Sequence, residues 1–204
     1  MSLKNYLNIK EEVIEIDNTI PSVLIQILGG HCTGKSGIVG EIKKYYNDKI
    51  VVLGKYAESN TNKGLLTGGM DGISITNKER YNIIKKEFLS NKKVIICEGM
   101  MIIYYSSFIN KYYELQEIKN RDVYIILLET DLEVIKNRLH VRSKGKEFTE
   151  KRFGHILSKA GCSKSTFDKI IENKKYNKLT FKTNKIEDFN IIINKIKEII
   201  ERYL

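Results

Sequence analysis

One stretch of the sequence has residue types and spacing that point directly to chemistry on phosphates: Gly29-Gly30-His31-Cys32-Thr33-Gly34-Lys35-Ser36. It matches the pattern G-x-x-x-x-G-K-[ST], whose glycines let successive backbone N–H groups face phosphate oxygens. In this pattern Lys35 would lie against the β- and γ-phosphates of a nucleotide, and the Ser36 hydroxyl would be a ligand of Mg²⁺. The apolar run Val23–Leu28 before it and the helical pattern after it are the context that the motif requires. We therefore predict a site for ATP and Mg²⁺, with His31 and Cys32 as loop-filling rather than reactive residues.

A carboxylate, Glu98, follows four apolar residues in the segment VIICEGMM. This position puts it at the carboxyl end of a buried strand, which is where ligands bind in an open parallel sheet. Glu98 could hold Mg²⁺ through water or accept the proton of an attacking hydroxyl. The alternative is a solvated residue at the start of a loop, but the phosphate motif favours the functional interpretation.

A glycine-rich stretch at residues 54–75 separates the second apolar run from the next helical pattern. Its polar side chains are hard to place in a core, and paired glycines allow another group to approach the backbone closely. Asp71 is a second candidate for a base or a metal-linked carboxylate. The stretch is either a linker or the wall that receives a substrate, with the candidate substrate-binding residues Lys55, Tyr56, Gly68, Gly69 and Asp71.

Two arginines, Arg138 and Arg142, are spaced i, i+4 and would share one face of a helix. They precede a Ser-Lys-Gly-Lys segment, which favours mobility. Mobile arginines could neutralise the charge on a transferred phosphoryl group and exclude water when they close over it. A solvated basic helix face explains either arginine alone equally well.

Strand and helix patterns alternate along the chain, which predicts an α/β fold: a parallel sheet flanked by helices, with right-handed crossovers. We predict one domain spanning residues 1–204, with a basic helical lid insertion at about 138–175. The predicted strands are Val23–Leu28, Ile50–Leu53, Val94–Cys97, Val123–Leu128 and Lys178–Lys182. The predicted helices are Gly34–Tyr46, a capped helix from Thr76 to Leu89, residues 100–118, a helix capped by Thr130 and Glu133, and Glu187–Tyr203.

The formal charge of +10 is concentrated in one part of the chain. Residues 136–185 contain fifteen Lys and Arg against four Asp and Glu, so the rest of the chain is close to neutral. Such a field attracts polyanions. No apolar run reaches the roughly 20 residues that span a bilayer, and the first residues lack the apolar core of a signal peptide. We therefore expect a cytoplasmic protein with a polyanionic partner and no membrane partner.

The phosphate loop, Glu98 at a strand end and the T-D-L-E…R-x-x-x-R segment together resemble the P-loop kinases of the nucleoside and nucleotide kinase group. Within that group, Gly54-Lys55-Tyr56 and Gly68-Gly69-Met70-Asp71-Gly72-Ile73 are similar to motifs of phage-type 5-hydroxymethyluracil DNA kinases. The resemblance implies the P-loop kinase fold and transfer of the γ-phosphoryl group of ATP to the hydroxymethyl group of a modified base in DNA. It also implies an enzyme that acts in the cytoplasm of a phage-infected host.

Two other functions are compatible with parts of the sequence. A kinase of a free nucleoside or nucleoside monophosphate needs the same phosphate chemistry but has no use for the basic segment. A non-catalytic, nucleotide-regulated DNA-binding module would use residues 156–171, where Ala160-Gly161 resembles the turn of a helix-turn-helix element. A pair of lid helices is the simpler interpretation of that segment, and the carboxylates of Glu98 and Asp71 favour transfer chemistry.

Overall fold

The structure is a computed structural model that describes residues 20–58, 66–99, 117, 121–143, 149–170 and 177–204. The strands are β1 (Val23–Gly29), β2 (Val51–Leu53), β3 (Lys55–Glu58), β4 (Leu66–Gly69), β5 (Val94–Glu98), β6 (Asp122–Glu129) and β7 (Asn177–Lys182). The helices are α1 (Lys35–Tyr46), α2 (Asn77–Leu89), α3 (Leu132–Arg142), α4 (Glu150–Ile170) and α5 (Ile186–Ile200). The helix predicted at 100–118 lies outside the described residues, apart from Glu117.

The strands form a five-stranded parallel sheet in the order β2-β5-β1-β6-β7, so the predicted parallel α/β fold is confirmed. Every residue of β1 and β5 is buried, as expected for strands covered on both faces. Alternate residues of β1 point to opposite cores. Ile25 lies in the core shared with α1 and α5, whereas Leu24 lies in the core shared with α2 and α4.

One of the two predicted helix caps is confirmed and the other is wrong. Thr76 caps α2 in a capping box: its hydroxyl accepts from the Glu79 N–H, and the Glu79 carboxylate accepts from the Thr76 N–H. The second predicted box is absent, because α3 begins after Asp131, which makes no side-chain cap. Thr130 instead makes a hydrogen bond with Thr183, which follows the neighbouring strand β7. A tertiary contact therefore takes the hydroxyl that the local pattern assigned to the helix.

The prediction of a loop over residues 54–75 is wrong in part. The stretch contains an antiparallel hairpin, in which β3 pairs with β4, followed by a short 3₁₀ turn at Met70–Gly72. Tyr56 lies opposite Gly68, and a Cβ atom on Gly68 would stand 2.0 Å from the Lys55 carbonyl oxygen. Gly68 and Gly69 have φ angles of 128° and 105°, so glycine is needed there for conformation as well as for space.

The helix-turn-helix interpretation of residues 156–171 is wrong, as is the alternative of two lid helices, because α4 is one helix of 21 residues. Its buried residues Ile156, Ser163, Phe167 and Ile170 recur at helical spacing along one face. A glycine inside a helix costs about 1 kcal/mol relative to alanine, and burying one large apolar side chain contributes about 1.5–3 kcal/mol. The packing of Phe167 and Ile170 against the sheet therefore outweighs the local preference of Gly161.

Replacing Gly161 with alanine tests the continuous helix. A Cβ atom there meets nothing within 4 Å, so we expect a gain of about 0.5–1 kcal/mol in the free energy of unfolding, measured by urea denaturation. Gly154 lies in the same helix with the same open space and serves as the matched control. A loss of stability for Gly161→Ala, with a gain for Gly154→Ala, would restore a turn at Gly161.

The remaining predicted elements agree with the structure to within three residues at each end. The last predicted strand is β7, and the last predicted helix corresponds to α5 followed by a turn to Tyr203. Among the helices in the described ranges, none combines the length and the apolar character that crossing a membrane requires.

Candidate active site

The phosphate motif forms the predicted loop between the carboxyl end of β1 and the first turn of α1. Gly34, the residue before α1, has a φ angle of 89°, and a Cβ atom on it would stand 2.1 Å from the Phe189 ring. The Thr33 hydroxyl donates to the Gly30 carbonyl oxygen at 3.0 Å and so braces the loop internally. The tight turn at the start of α1 leaves its first N–H groups available to an anion.

Lys35 lies over this loop. Its ammonium group donates to the carbonyl oxygens of Gly29 at 2.9 Å and Gly30 at 2.8 Å. The side chain is only 9% exposed, and this burial lowers its pKa, while the nearby carboxylates Glu98 and Asp71 raise it. An ammonium group has three donors, so Lys35 keeps one for a phosphate oxygen while it holds the loop.

The two residues predicted to be metal ligands are in contact. The Ser36 hydroxyl donates to the Glu98 carboxylate at 2.6 Å, although the residues are 62 positions apart in the chain. They meet because β5 pairs with β1 and places Glu98 opposite Ile27, just before the loop. Glu98 is 1% exposed, and burial raises its pKa, whereas Lys35 and the Ser36 hydroxyl lower it. A hydroxyl and a carboxylate are the oxygen ligands that Mg²⁺ prefers, so the pair fits that ion.

Asp71 lies beside this pair, in the 3₁₀ turn that follows the hairpin. Its carboxylate charge acts on both Lys35 and Glu98, raising the pKa of each. A Cβ atom on Gly99 would stand 3.0 Å from an Asp71 carboxylate oxygen, and one on Gly69 would stand 2.4 Å from Glu98 Oε1. The hairpin backbone, Asp71 and Glu98 therefore form one compact group beside the phosphate loop.

The other two predicted substrate-binding side chains differ in position. Tyr56 points inward: its hydroxyl is buried and has no hydrogen-bond partner among the described residues. Burial, followed by the charges of Glu98, Cys97 and Asp71, raises the pKa of this hydroxyl. Lys55 has an exposed side chain and takes part in the hairpin through its backbone. The Tyr56 side chain thus lies beside the carboxylates of Asp71 and Glu98, and Lys55 lies at the outer edge of the hairpin.

The two predicted lid arginines have different surroundings. Arg138 donates to the Cys32 carbonyl oxygen at 3.0 Å and to the Thr183 carbonyl oxygen at 2.6 Å, and it lies 5.3 Å from the Phe189 ring centroid. This arrangement holds the phosphate loop against β7 and α5. Arg142 is exposed and makes no hydrogen bond or ion pair within the described part of the chain, yet its charge acts on Lys35.

Sequence reasoning missed the residues that support the loop from elsewhere in the fold. Phe189 packs against Gly34, Thr183 accepts from Arg138, and Ala160 of α4 lies against Gly30. Phe189 and Thr183 belong to no local motif, and the pattern around Ala160 predicts a turn rather than a contact with the loop, so only the packing of α4 and α5 on the sheet reveals these residues.

Comparison of the sequence with known proteins identifies no family, whereas comparison of the structure with solved structures identifies the fold. No protein-family model and no curated protein matches the chain. The YorR protein of Bacillus subtilis, solved in complex with phosphorylated GDP, matches 87% of this chain and 95% of its own at 20% identity and a TM-score of 0.54. A candidate kinase of Chloroflexus aurantiacus matches 90% of this chain and 98% of its own at 13% identity and a TM-score of 0.52. The chain therefore shares the α/β fold of these two structures, a mostly parallel sheet flanked by helices.

The loop Gly29–Ser36 between β1 and α1 carries the full G-x-x-x-x-G-K-[ST] pattern and is the P-loop of this chain. The central position of β1 in the sheet places the P-loop between the hairpin on the β2 and β5 side and the Thr183 segment on the β7 side. A nucleotide whose phosphates lie in the P-loop would therefore have its terminal phosphate within reach of the Asp71 and Glu98 group.

Proposed function

We propose that the protein is a magnesium-dependent kinase that transfers the γ-phosphoryl group of ATP to a hydroxyl group. The observation that carries this proposal is the contact of 2.6 Å between Ser36 and Glu98 next to the buried Lys35. The loop N–H groups and Lys35 would bind the phosphates, and Ser36 and Glu98 would hold Mg²⁺. When bound, the ion would neutralise charge on the β- and γ-phosphates.

The chemistry that follows is a direct displacement at phosphorus. The oxygen of the acceptor hydroxyl attacks the γ-phosphorus, the bond to the β–γ bridging oxygen breaks, and ADP leaves with that bond's electron pair. The proton of the hydroxyl passes to a carboxylate. We assign this role to Asp71, because Glu98 is already bonded to Ser36, and Asp71 lies at the end of the hairpin where an acceptor would enter.

The acceptor that we propose is the hydroxymethyl group of 5-hydroxymethyluracil in DNA. The motifs that resemble the DNA kinases, Gly54–Tyr56 and Gly68–Ile73, come together in the β3–β4 hairpin and the turn after it, against Glu98. The hydroxymethyl group of a stacked base is hard to reach in line with ATP, so the base would be flipped out of the duplex toward this hairpin. The exposed basic residues Lys151 and Arg152 of α4 would contact the DNA backbone.

The test of this proposal is a transfer screen with ATP labelled at the γ position. The acceptors are DNA containing hydroxymethyluracil, DNA containing hydroxymethylcytosine, unmodified DNA, free nucleosides and nucleoside monophosphates. We expect label to appear in hydroxymethyluracil DNA and the other acceptors to remain nearly unlabelled. A preference for a free nucleoside or monophosphate would contradict the proposal that DNA is the acceptor, while the proposal of a kinase would stand. If none of these acceptors becomes labelled, the proposed kinase activity is contradicted.

Glu98→Gln gives a second prediction. The amide keeps the shape of the side chain and removes its charge, so we expect transfer to slow by roughly 10²-fold through the loss of metal-linked charge, with little change in nucleotide affinity. Initial rates and ATP titration separate the two effects. Transfer at the wild-type rate would reduce Glu98 to a structural role.

A further inference from the structure

Helix α4 packs directly on the P-loop. A Cβ atom on Gly30 would stand 2.8 Å from the Ala160 Cβ, so the backbone of the loop and the helix are in close contact. A small apolar cluster fixes the arrangement: Ile135 and Leu139 of α3 pack with Ile156 of α4, and Cys32 of the P-loop packs against them. The residue before Ala160, which is Lys159, is therefore held at the rim of the P-loop.

The charges of three cations act on the His31 side chain at this rim. Burial lowers the pKa of His31, and the charges of Lys159, Lys35 and Arg142 lower it further, with only Asp71 opposing them. Lys159 is half-buried, and its ammonium group makes no hydrogen bond or ion pair with another described residue; only its carbonyl oxygen takes part in a side-chain hydrogen bond, which it accepts from the Ser163 hydroxyl at 3.2 Å. Lys164, on the same helix, instead pairs with Glu129 at 2.8 Å. Because the Lys159 ammonium group has no carboxylate partner among the described residues and the charges of Lys35 and Arg142 act on the same loop residue, this rim carries excess positive charge that favours an anion.

We infer that Lys159 binds the γ-phosphate of ATP, together with Lys35 and Arg142. The inference rests on the proposed function, in which the P-loop holds the phosphates of ATP. Lys35 lies over Gly29 and Gly30, where it would meet the β- and γ-phosphates. Lys159 of α4 and Arg142 of α3 both act by their charge on His31 of the same loop, so the two would contact the terminal phosphate together with Lys35.

The affinities for ATP and ADP test this inference, because only ATP has a γ-phosphate. Lys159→Met removes the charge and keeps the apolar stem of a half-buried side chain. In the presence of Mg²⁺, we expect this variant to bind a non-hydrolysable ATP analogue with a dissociation constant about tenfold above that of the wild-type protein, as for the loss of one charge-assisted hydrogen bond. Its dissociation constant for ADP should stay within about twofold of the wild-type value. Lys159→Arg is expected to restore most of the affinity.

Lys169→Met is the matched control, since Lys169 is an exposed lysine ten residues further along α4. We expect it to leave both affinities unchanged. Equal effects of Lys159→Met on ATP and ADP, or no effect on either, would overturn the assignment of Lys159. If the wild-type protein binds ATP and requires Lys35, that failure leaves the proposed function standing. If the wild-type protein does not bind ATP, the proposed function fails and the inference with it. Thermal unfolding of each variant shows whether it is folded.

Discussion

Replacing Lys35 with alanine is expected to abolish phosphoryl transfer and to leave the fold intact. Lys35 is the buried cation of the P-loop, and its charge would act where negative charge develops on the transferred group. Loss of one such donor costs roughly 10²–10³-fold in rate. Because Lys35 also holds two loop carbonyls, misplacement of the phosphates should bring the loss to the upper end of that range.

The measurement for this variant is the initial rate of transfer from labelled ATP. Lys44→Ala is the control, since Lys44 is an exposed lysine of the same helix α1 and should retain the wild-type rate. Circular dichroism and thermal unfolding establish that both variants are folded. Transfer by Lys35→Ala within a few fold of the wild-type rate would mean that the loop does not bind the reacting phosphates.

Asp71→Asn is expected to abolish transfer to hydroxymethyluracil DNA while slow hydrolysis of ATP by water continues. The amide keeps the shape of the side chain and cannot accept the proton of the acceptor hydroxyl, and general bases contribute about 10²–10⁴-fold. The P-loop and Glu98 keep their side chains and hydrogen bonds in this variant and lose only the action of the Asp71 charge on Lys35 and Glu98. The ratio of transfer to hydrolysis should therefore fall.

Both products can be followed in one reaction, as labelled DNA and as labelled inorganic phosphate. Asp48→Asn is the control, since Asp48 is an exposed aspartate in the 3₁₀ turn after α1. A parallel fall of transfer and hydrolysis in Asp71→Asn would move Asp71 from the acceptor side to the nucleotide side. Unchanged transfer would remove it from the mechanism.

The parts of the site that are local in the chain could be predicted from the sequence. The P-loop follows from a fixed spacing of glycines before Lys35 and Ser36, and Glu98 follows from its place after an apolar strand. Their contact depends on the pairing of β5 with β1, a strand order that the predicted parallel sheet leaves open and the structure supplies.

The parts that depend on distant partners could not be predicted. Arg138 bonds to carbonyl oxygens 106 and 45 positions away, so its support of the P-loop becomes visible only in the folded chain. The glycines of β4 weaken the strand pattern of the hairpin in the sequence, and Gly161 suggests a turn where α4 continues as a helix. The same contact of α4 with Gly30 places Lys159, which belongs to no phosphate-binding motif, beside the loop.

The mass of the modified nucleoside tests the central claim most directly. Hydroxymethyluracil DNA is incubated with the protein, ATP and Mg²⁺, digested to nucleosides with nucleases, and examined by mass spectrometry. We expect a hydroxymethylated deoxyuridine that has gained one phosphoryl group on its base, and we expect this product to be absent when Lys35→Ala replaces the wild-type protein. An unmodified nucleoside, or a phosphoryl group found on the sugar or on a strand end, would contradict it.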